Sequence, residues 1–277
     1  MKRNNNNNNI MNLFIKPISN ETMFLGMIGC VMAMIPIILL INNYAYDDGK
    51  LVCDNYVLNS YLYALLGFCV IGLSVFFEQK VRLMPMLFGN GIIIKIISFI
   101  LILVIFYGLS KYITDANPKN ILSIHLAYFL ACFLFGMLMT IILVLGYATG
   151  VLYEAIAITI GLTMLMAFIG YKYGHLFITI NFDKVLSYAL FALIIWSVIV
   201  PFIINDPFTL MLSVAIPSAI IFCLLLMSYN NKLRKNQKDC KVPNYPKEAL
   251  GLVIKIGNLL ADIIQILMAT KNNSNRQ

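Results

Sequence analysis

Four ionisable side chains stand inside long apolar stretches: Lys95, Glu154, Lys255 and Asp262, with His125 as a fifth. A charge at bilayer depth is costly, so such residues either mark an ion or proton pathway or reach back to the membrane surface. Lys95 sits about one turn inside its stretch and reads as a snorkelling lysine. Glu154 follows Ala-Thr-Gly at the start of a stretch. There the helix dipole favours an anion, and that reading stands beside a pathway role. Lys255 and Asp262 are seven residues apart on one helix face. That spacing is about 10 Å along the axis, too far for direct pairing. Lys255 is near a helix end and can reach the surface. Asp262 is deeper and must face protein or water. Glu154 and Asp262 are therefore the candidate intramembrane ion-pathway residues.

Enzyme chemistry has little support. His125 and His175 are the two histidines and form no HExxH. The chain has no GxSxG elbow and no phosphate-cradling GxxxxGK[ST]. Its six cysteines include no CxxC pair, and Cys30, Cys69, Cys132 and Cys223 lie in apolar runs as packing residues. No catalytic residues, metal site or cofactor are expected.

Composition dictates what must hold these residues. The 277 residues are 61% hydrophobic and 12% charged. A soluble domain is about 45–50% apolar and about 25% charged, so a water-soluble domain and a disordered chain are both excluded. The expected fold is an all-α, polytopic transmembrane helical bundle of seven or eight segments. Seven candidate spans are 58–78, 90–112, 121–147, 151–171, 185–205, 208–229 and 249–269. Each is about 20 residues or more, enough for a core of roughly 30 Å. Ahead of them, residues 1–20 form an Asn-rich tract expected to be disordered. Residues 21–43 form an extra apolar segment, read as an uncleaved helix, with a cleaved signal peptide as the alternative. The bundle covers 58–270 and a polar tail 271–277. Gly146 and Gly150 have GxxxG spacing at a span end, where a plain turn is the preferred reading.

The formal charge of +8 is unevenly placed. Residues 230–248 carry Lys232, Arg234, Lys235, Lys238, Lys241 and Lys247 against Asp239 and Glu248, a net +4. This basic loop is the strongest topological signal and is expected to be cytoplasmic. Counting back through full spans then puts the basic 79–88 loop, with Lys80 and Arg82, outside, so charge alone leaves the parity open. No aromatic-basic motif points to nucleic acid.

Several short motifs occur in an order that resembles the transmembrane BAX inhibitor motif family. Pro118-Lys119-Asn120-Ile121-Leu122 is similar to the "P-x-N-I-L" that opens one family helix. Glu154 to Thr159 and Tyr171 to Phe177 resemble the start of the next helix and its basic turn. Met227-Ser228-Tyr229-Asn230-Asn231 stands where the family has Phe/Tyr-Asp-Thr. Asn244 to Leu250 resembles "D-Y-x-x-x-A-L", and Leu252 to Leu260 resembles "L-Y-L-D-I-I-N-L-F". The likeness covers residues 118–269. It implies a paired-aspartate site between the last two helices, and here those positions hold Asn230 and Lys255. Asn cannot titrate, and a lysine cation repels Ca²⁺, so the family's pH-gated Ca²⁺ leak is expected to be lost. A second register puts Asp262 at a family aspartate.

The resemblance implies a membrane protein of the ER, Golgi or another endomembrane that modulates cell death or luminal calcium. Expected partners are the lipid bilayer, Ca²⁺ or H⁺, and other membrane proteins. Two alternatives are an ion or small-solute transporter of another family and a non-catalytic scaffold whose basic loop meets anionic lipid.

Overall fold

The computed structural model describes Cys30, residues 46–47, 50–51, 53, 55–81, 92–116, 121–177 and 182–274. The readings for 1–20 and 21–43 fall outside them, apart from Cys30, which is helical. The seven apolar stretches fold as α1 (Tyr56–Val81), α2 (Ile92–Asp115), α3 (Ile121–Ala148), α4 (Leu152–Phe177), α5 (Phe182–Ile199), α6 (Pro207–Lys238) and α7 (Tyr245–Ser274). All seven contain a stretch long and apolar enough to cross a membrane. In lipid a helix satisfies its own backbone hydrogen bonds, which is why long apolar runs adopt it. A two-residue hairpin, β1 (Tyr46–Asp47) and β2 (Lys50–Leu51), precedes α1.

The ends of the helices have local causes. Asp206 caps α6: its carboxylate accepts from the Thr209 N–H at 2.8 Å and the Thr209 hydroxyl at 2.7 Å, and Pro207 follows in the first turn. Between α3 and α4 the chain turns at Thr149–Val151, where Gly150 has φ +72°. The turn reading of Gly150 is therefore correct.

Helix α7 is central. It packs against α1, α2, α3, α4 and α6, whereas α5 packs chiefly on α6. Half of the α7 span is buried against 11% of the α5 span, so α5 faces mostly lipid. With little hydrophobic drive between helices in lipid, close backbone approach at small residues does the holding. The tightest approach is at Gly170 of α4, where a Cβ would stand 2.2 Å from the Met227 carbonyl of α6. One turn on, a Cβ on Gly174 would stand 2.8 Å from Asn231 Cβ. Gly170 and Gly174 thus seat α4 on α6, while Gly146 of α3 also serves packing, since a Cβ there would stand 2.9 Å from Ile264 of α7.

The basic segment differs from its expected form. Residues 230–248 are not one loop: α6 continues to Lys238, α7 begins at Tyr245, and the link is 239–244. Lys232, Arg234, Lys235 and Lys238 are therefore helical, and Lys241 alone of the five lies in the link. The stretch is rich in good helix formers, Leu233 is wholly buried, and Lys235 and Lys238 sit in the last turn, where the dipole favours cations. Asn244 then caps α7, accepting from the Lys247 N–H at 3.1 Å and donating to the Ile113 carbonyl at 3.0 Å. A disulfide joins Cys53, ahead of α1, to Cys240 in this link, with Cα atoms 5.9 Å apart. The starts of α1 and α7 and the ends of α2, α4 and α6 thus gather at one basic end. At the other, Lys271 Nζ reaches the Thr149 carbonyl at 2.8 Å.

Candidate functional site

Polar side chains collect where α1, α6 and α7 meet near the basic end. Their hub is Glu248, in the first turn of α7 and 4% exposed. Its Oε1 accepts from the Tyr56 hydroxyl at 3.0 Å and from Asn236 Nδ2 at 2.9 Å. Its Oε2 accepts from the Tyr229 hydroxyl at 2.7 Å. Every one of these partners is donating, which suits an acceptor-only carboxylate, and the helix N-terminus adds a favourable dipole. Tyr229 can enter because residue 251 is glycine: a Cβ there would be 2.3 Å from its hydroxyl oxygen.

Lys255 lies one turn further along α7. Its ammonium donates to the Gly251 carbonyl at 3.2 Å and stands 4.1 Å from the centre of the Tyr229 ring. A cation over an aromatic face is attracted by the ring quadrupole. The lysine does bend toward the basic end, as its position suggested, but the ammonium stops within the cluster. Asn230 points elsewhere: Tyr61 of α1 donates to its Oδ1 at 2.7 Å, and its Nδ2 donates to the Leu226 carbonyl at 2.8 Å. Asn230 and Lys255 thus occupy one polar region through adjacent α6 residues, without a direct bond. Nearby, Asn59 donates to the Tyr245 hydroxyl at 3.3 Å, and the Tyr245 ring stacks on Tyr63, 5.7 Å centre to centre. Tyr63 in turn is 2.9 Å from His125 Nε2, so His125 is drawn into the aromatic core. Ser228 of α6 donates to Asp183 at the start of α5.

Asp262 is separate. It is 7% exposed, faces Ser218 and Cys223 of α6, and its Oδ2 has no hydrogen-bond partner among the described residues. Glu154 is exposed in the first turn of α4, at the opposite end from the Glu248 cluster. The two proposed pathway carboxylates are thus not brought together. The side chains of Lys95 and His175 lie outside what is described. Among the described residues no group of three or more His, Cys, Asp or Glu could hold a metal ion.

A cleft of about 410 Å³ opens beside Asn230, lined by Val57, Leu58, Tyr61, Ala167, Phe168 and Tyr171, with Asn55 and Gln237 also on its wall. Two basic residues touch its aromatic lining. Arg234 donates to the Tyr171 carbonyl at 2.6 Å and lies 5.3 Å from the centre of that ring. Lys172 Nζ is 5.5 Å from the Phe168 ring centre.

Sequence reasoning placed Glu248 in a loop and missed it as the hub. The available signal was an acidic residue three positions after a Tyr-Pro helix start, followed by an apolar run. Comparison with known proteins adds one result. The model of the family described as Inhibitor of apoptosis-promoting Bax1 matches residues 53–273, most of the chain. No curated protein and no solved structure matches significantly.

Proposed function

The chain belongs to the family of inhibitors of apoptosis-promoting Bax1, and from that premise we propose a non-enzymatic endomembrane protein that modulates cell death or luminal calcium without conducting Ca²⁺ between its last two helices. The observation that carries this reading is Lys255. Its ammonium is held by the Tyr229 ring and the Gly251 carbonyl, and Tyr229 is the sequence neighbour of Asn230. A tethered cation there does what a bound metal would do electrostatically and repels one that approaches. Asn230 supplies one neutral amide oxygen, already accepting from Tyr61, where a hard divalent cation needs several oxygens. Its action would then run through other membrane proteins or through occupancy of the bilayer.

Ca²⁺ flux into dye-loaded liposomes tests it. The purified chain is expected to give flux at the level of protein-free vesicles, and the double substitution Asn230→Asp with Lys255→Asp is expected to raise it. A pH-dependent Ca²⁺ flux through the unsubstituted chain overturns the reading. A transporter is the second reading, favoured by the unpartnered Oδ2 of buried Asp262. It requires flux of some cation that Asp262→Asn abolishes.

A further inference from the structure

We propose that the cleft between α1 and α4 at the basic end holds one acyl chain of an anionic phospholipid whose phosphate lies on Arg234 and Lys172. Four observations meet here. First, α1 and α4 share no extensive packing, although each packs on its own neighbours in the bundle. That leaves a gap in the lateral wall. Second, the gap opens toward lipid. Leu58 and Phe168, on its two sides, are 52% and 56% exposed on helices that cross the membrane. Third, the lining is graded. Val57, Leu58, Ala167 and Phe168 offer an apolar surface suited to a hydrocarbon chain, whereas Asn55 and Gln237 add amides.

The fourth observation is the charge. Arg234 spends one of its five N–H donors on the Tyr171 carbonyl, and no acceptor is seen for the others among the described residues. Its planar fork suits a phosphate. Lys172, one residue beyond Tyr171, places a second ammonium against Phe168 of the same lining. Asn230 and Gln237 are seven residues apart on α6, so the cleft wall extends about 10 Å along the helix. That is a fitting distance between a chain in the bilayer edge and a phosphate at its surface. The other occupant to weigh is an apolar helix of a second protein. It would leave Arg234 and Lys172 facing hydrocarbon, and the charges speak against it. The cleft shares Asn230 with the calcium reading, but Arg234 and Lys172 play no part in that reading, so a failed lipid test and a failed flux test are distinguishable.

The test is native mass spectrometry of the full chain taken from nanodiscs of phosphatidylcholine with phosphatidylserine. The expected result is one retained phosphatidylserine in preference to phosphatidylcholine. Neutralising both cations, Arg234→Gln with Lys172→Gln, is expected to lower that preference about thirty-fold, as two surface cations should. The paired control Lys235→Gln with Lys238→Gln removes two charges from the same helix end but not from the cleft, and should leave most of the preference. Ala167→Phe should fill the cleft and abolish retention of either lipid, with helix content by circular dichroism unchanged. Equal retention of both lipids by the unsubstituted chain overturns the proposal. So does an equal loss from the two charge pairs, or full retention by Ala167→Phe.

Discussion

Replacing Glu248 should weaken the bundle in two distinguishable steps. The carboxylate takes three hydrogen bonds, from Tyr56, Asn236 and Tyr229. Glu248→Ala removes both carboxylate oxygens and leaves the Tyr56 hydroxyl and the Asn236 amide without that acceptor, while the Tyr229 hydroxyl keeps the residue 248 carbonyl at 3.1 Å. Each orphaned group costs about 1–3 kcal/mol, so the two together with the lost Tyr229 bond make roughly 3–4 kcal/mol. Glu248→Gln is milder for a reason visible in the geometry. The amide oxygen can keep the bonds from Tyr56 and Asn236. The amide nitrogen then meets the Tyr229 hydroxyl, which can accept from it while donating to the residue 248 carbonyl, already 3.1 Å away. What is lost is charge assistance, about 1–2 kcal/mol in all. The assay is reversible unfolding by SDS titration in mixed micelles. A cycle with Tyr229→Phe should give a coupling near 1 kcal/mol with Glu248, in the range for residues in direct contact. If Glu248→Ala costs under about 1 kcal/mol, or Glu248→Gln costs as much as Glu248→Ala, the carboxylate is not the hub argued for it.

Asp262→Leu combined with Ser218→Ala should raise stability in the same titration by about 1 kcal/mol, because it removes a buried carboxylate with one unpartnered oxygen together with the hydroxyl that faces it; a comparable loss would refute that account. Gly170→Ala should cost about 1–3 kcal/mol, since its Cβ meets the Met227 carbonyl. Gly161→Ala, with nothing within 4 Å, should be neutral or gain up to about 1 kcal/mol. Equal effects at the two glycines would remove the close-approach argument. Iodoacetamide followed by peptide mapping should modify Cys53 and Cys240 only after reductant. A bridge that persists belongs to an oxidising compartment, so a membrane-impermeant reductant on sealed vesicles is expected to open it from the luminal side, and opening from the cytosolic side would instead support the orientation that the basic residues favour.

Much of the fold was legible because lipid imposes one rule on every span. Apolar length alone located α1 to α7 within a few residues over most of their bounds. The largest error came at Asn230, where hydropathy ends but the helix does not. Beyond the apolar run, Leu233 still packs and the cations still suit a helix terminus. Lys255 bends toward the basic end, as a reading from its nearness to a helix end expects, whereas the ring beneath it was not foreseen. Tyr229 is adjacent to Asn230 in sequence, but which of the two meets Lys255 depends on the rotation of α6 about its axis. The Glu248 hub was hidden for a similar reason. Its three partners come from α1 and from two turns of α6, and no local pattern announces a meeting between residues 192 apart. Glu154 and Asp262 were grouped because both are acids in apolar runs, but burial separates them, Glu154 being exposed in the first turn of α4 and Asp262 enclosed between α6 and α7.

The Cys53–Cys240 bridge also sorts the helices into two kinds. Residues 53 to 240 form a closed covalent ring that contains α1 through α6. A protease that cuts any one link inside that ring produces a nicked molecule whose two pieces stay joined until the bridge is reduced. Helix α7 starts five residues past the closure and is excluded from the ring. A single cut between 240 and 245 would sever it at once, reductant or not. The helix that touches most of its neighbours is therefore the one that the bridge does not tether, and after such a cut only packing and its hydrogen bonds would keep it in place.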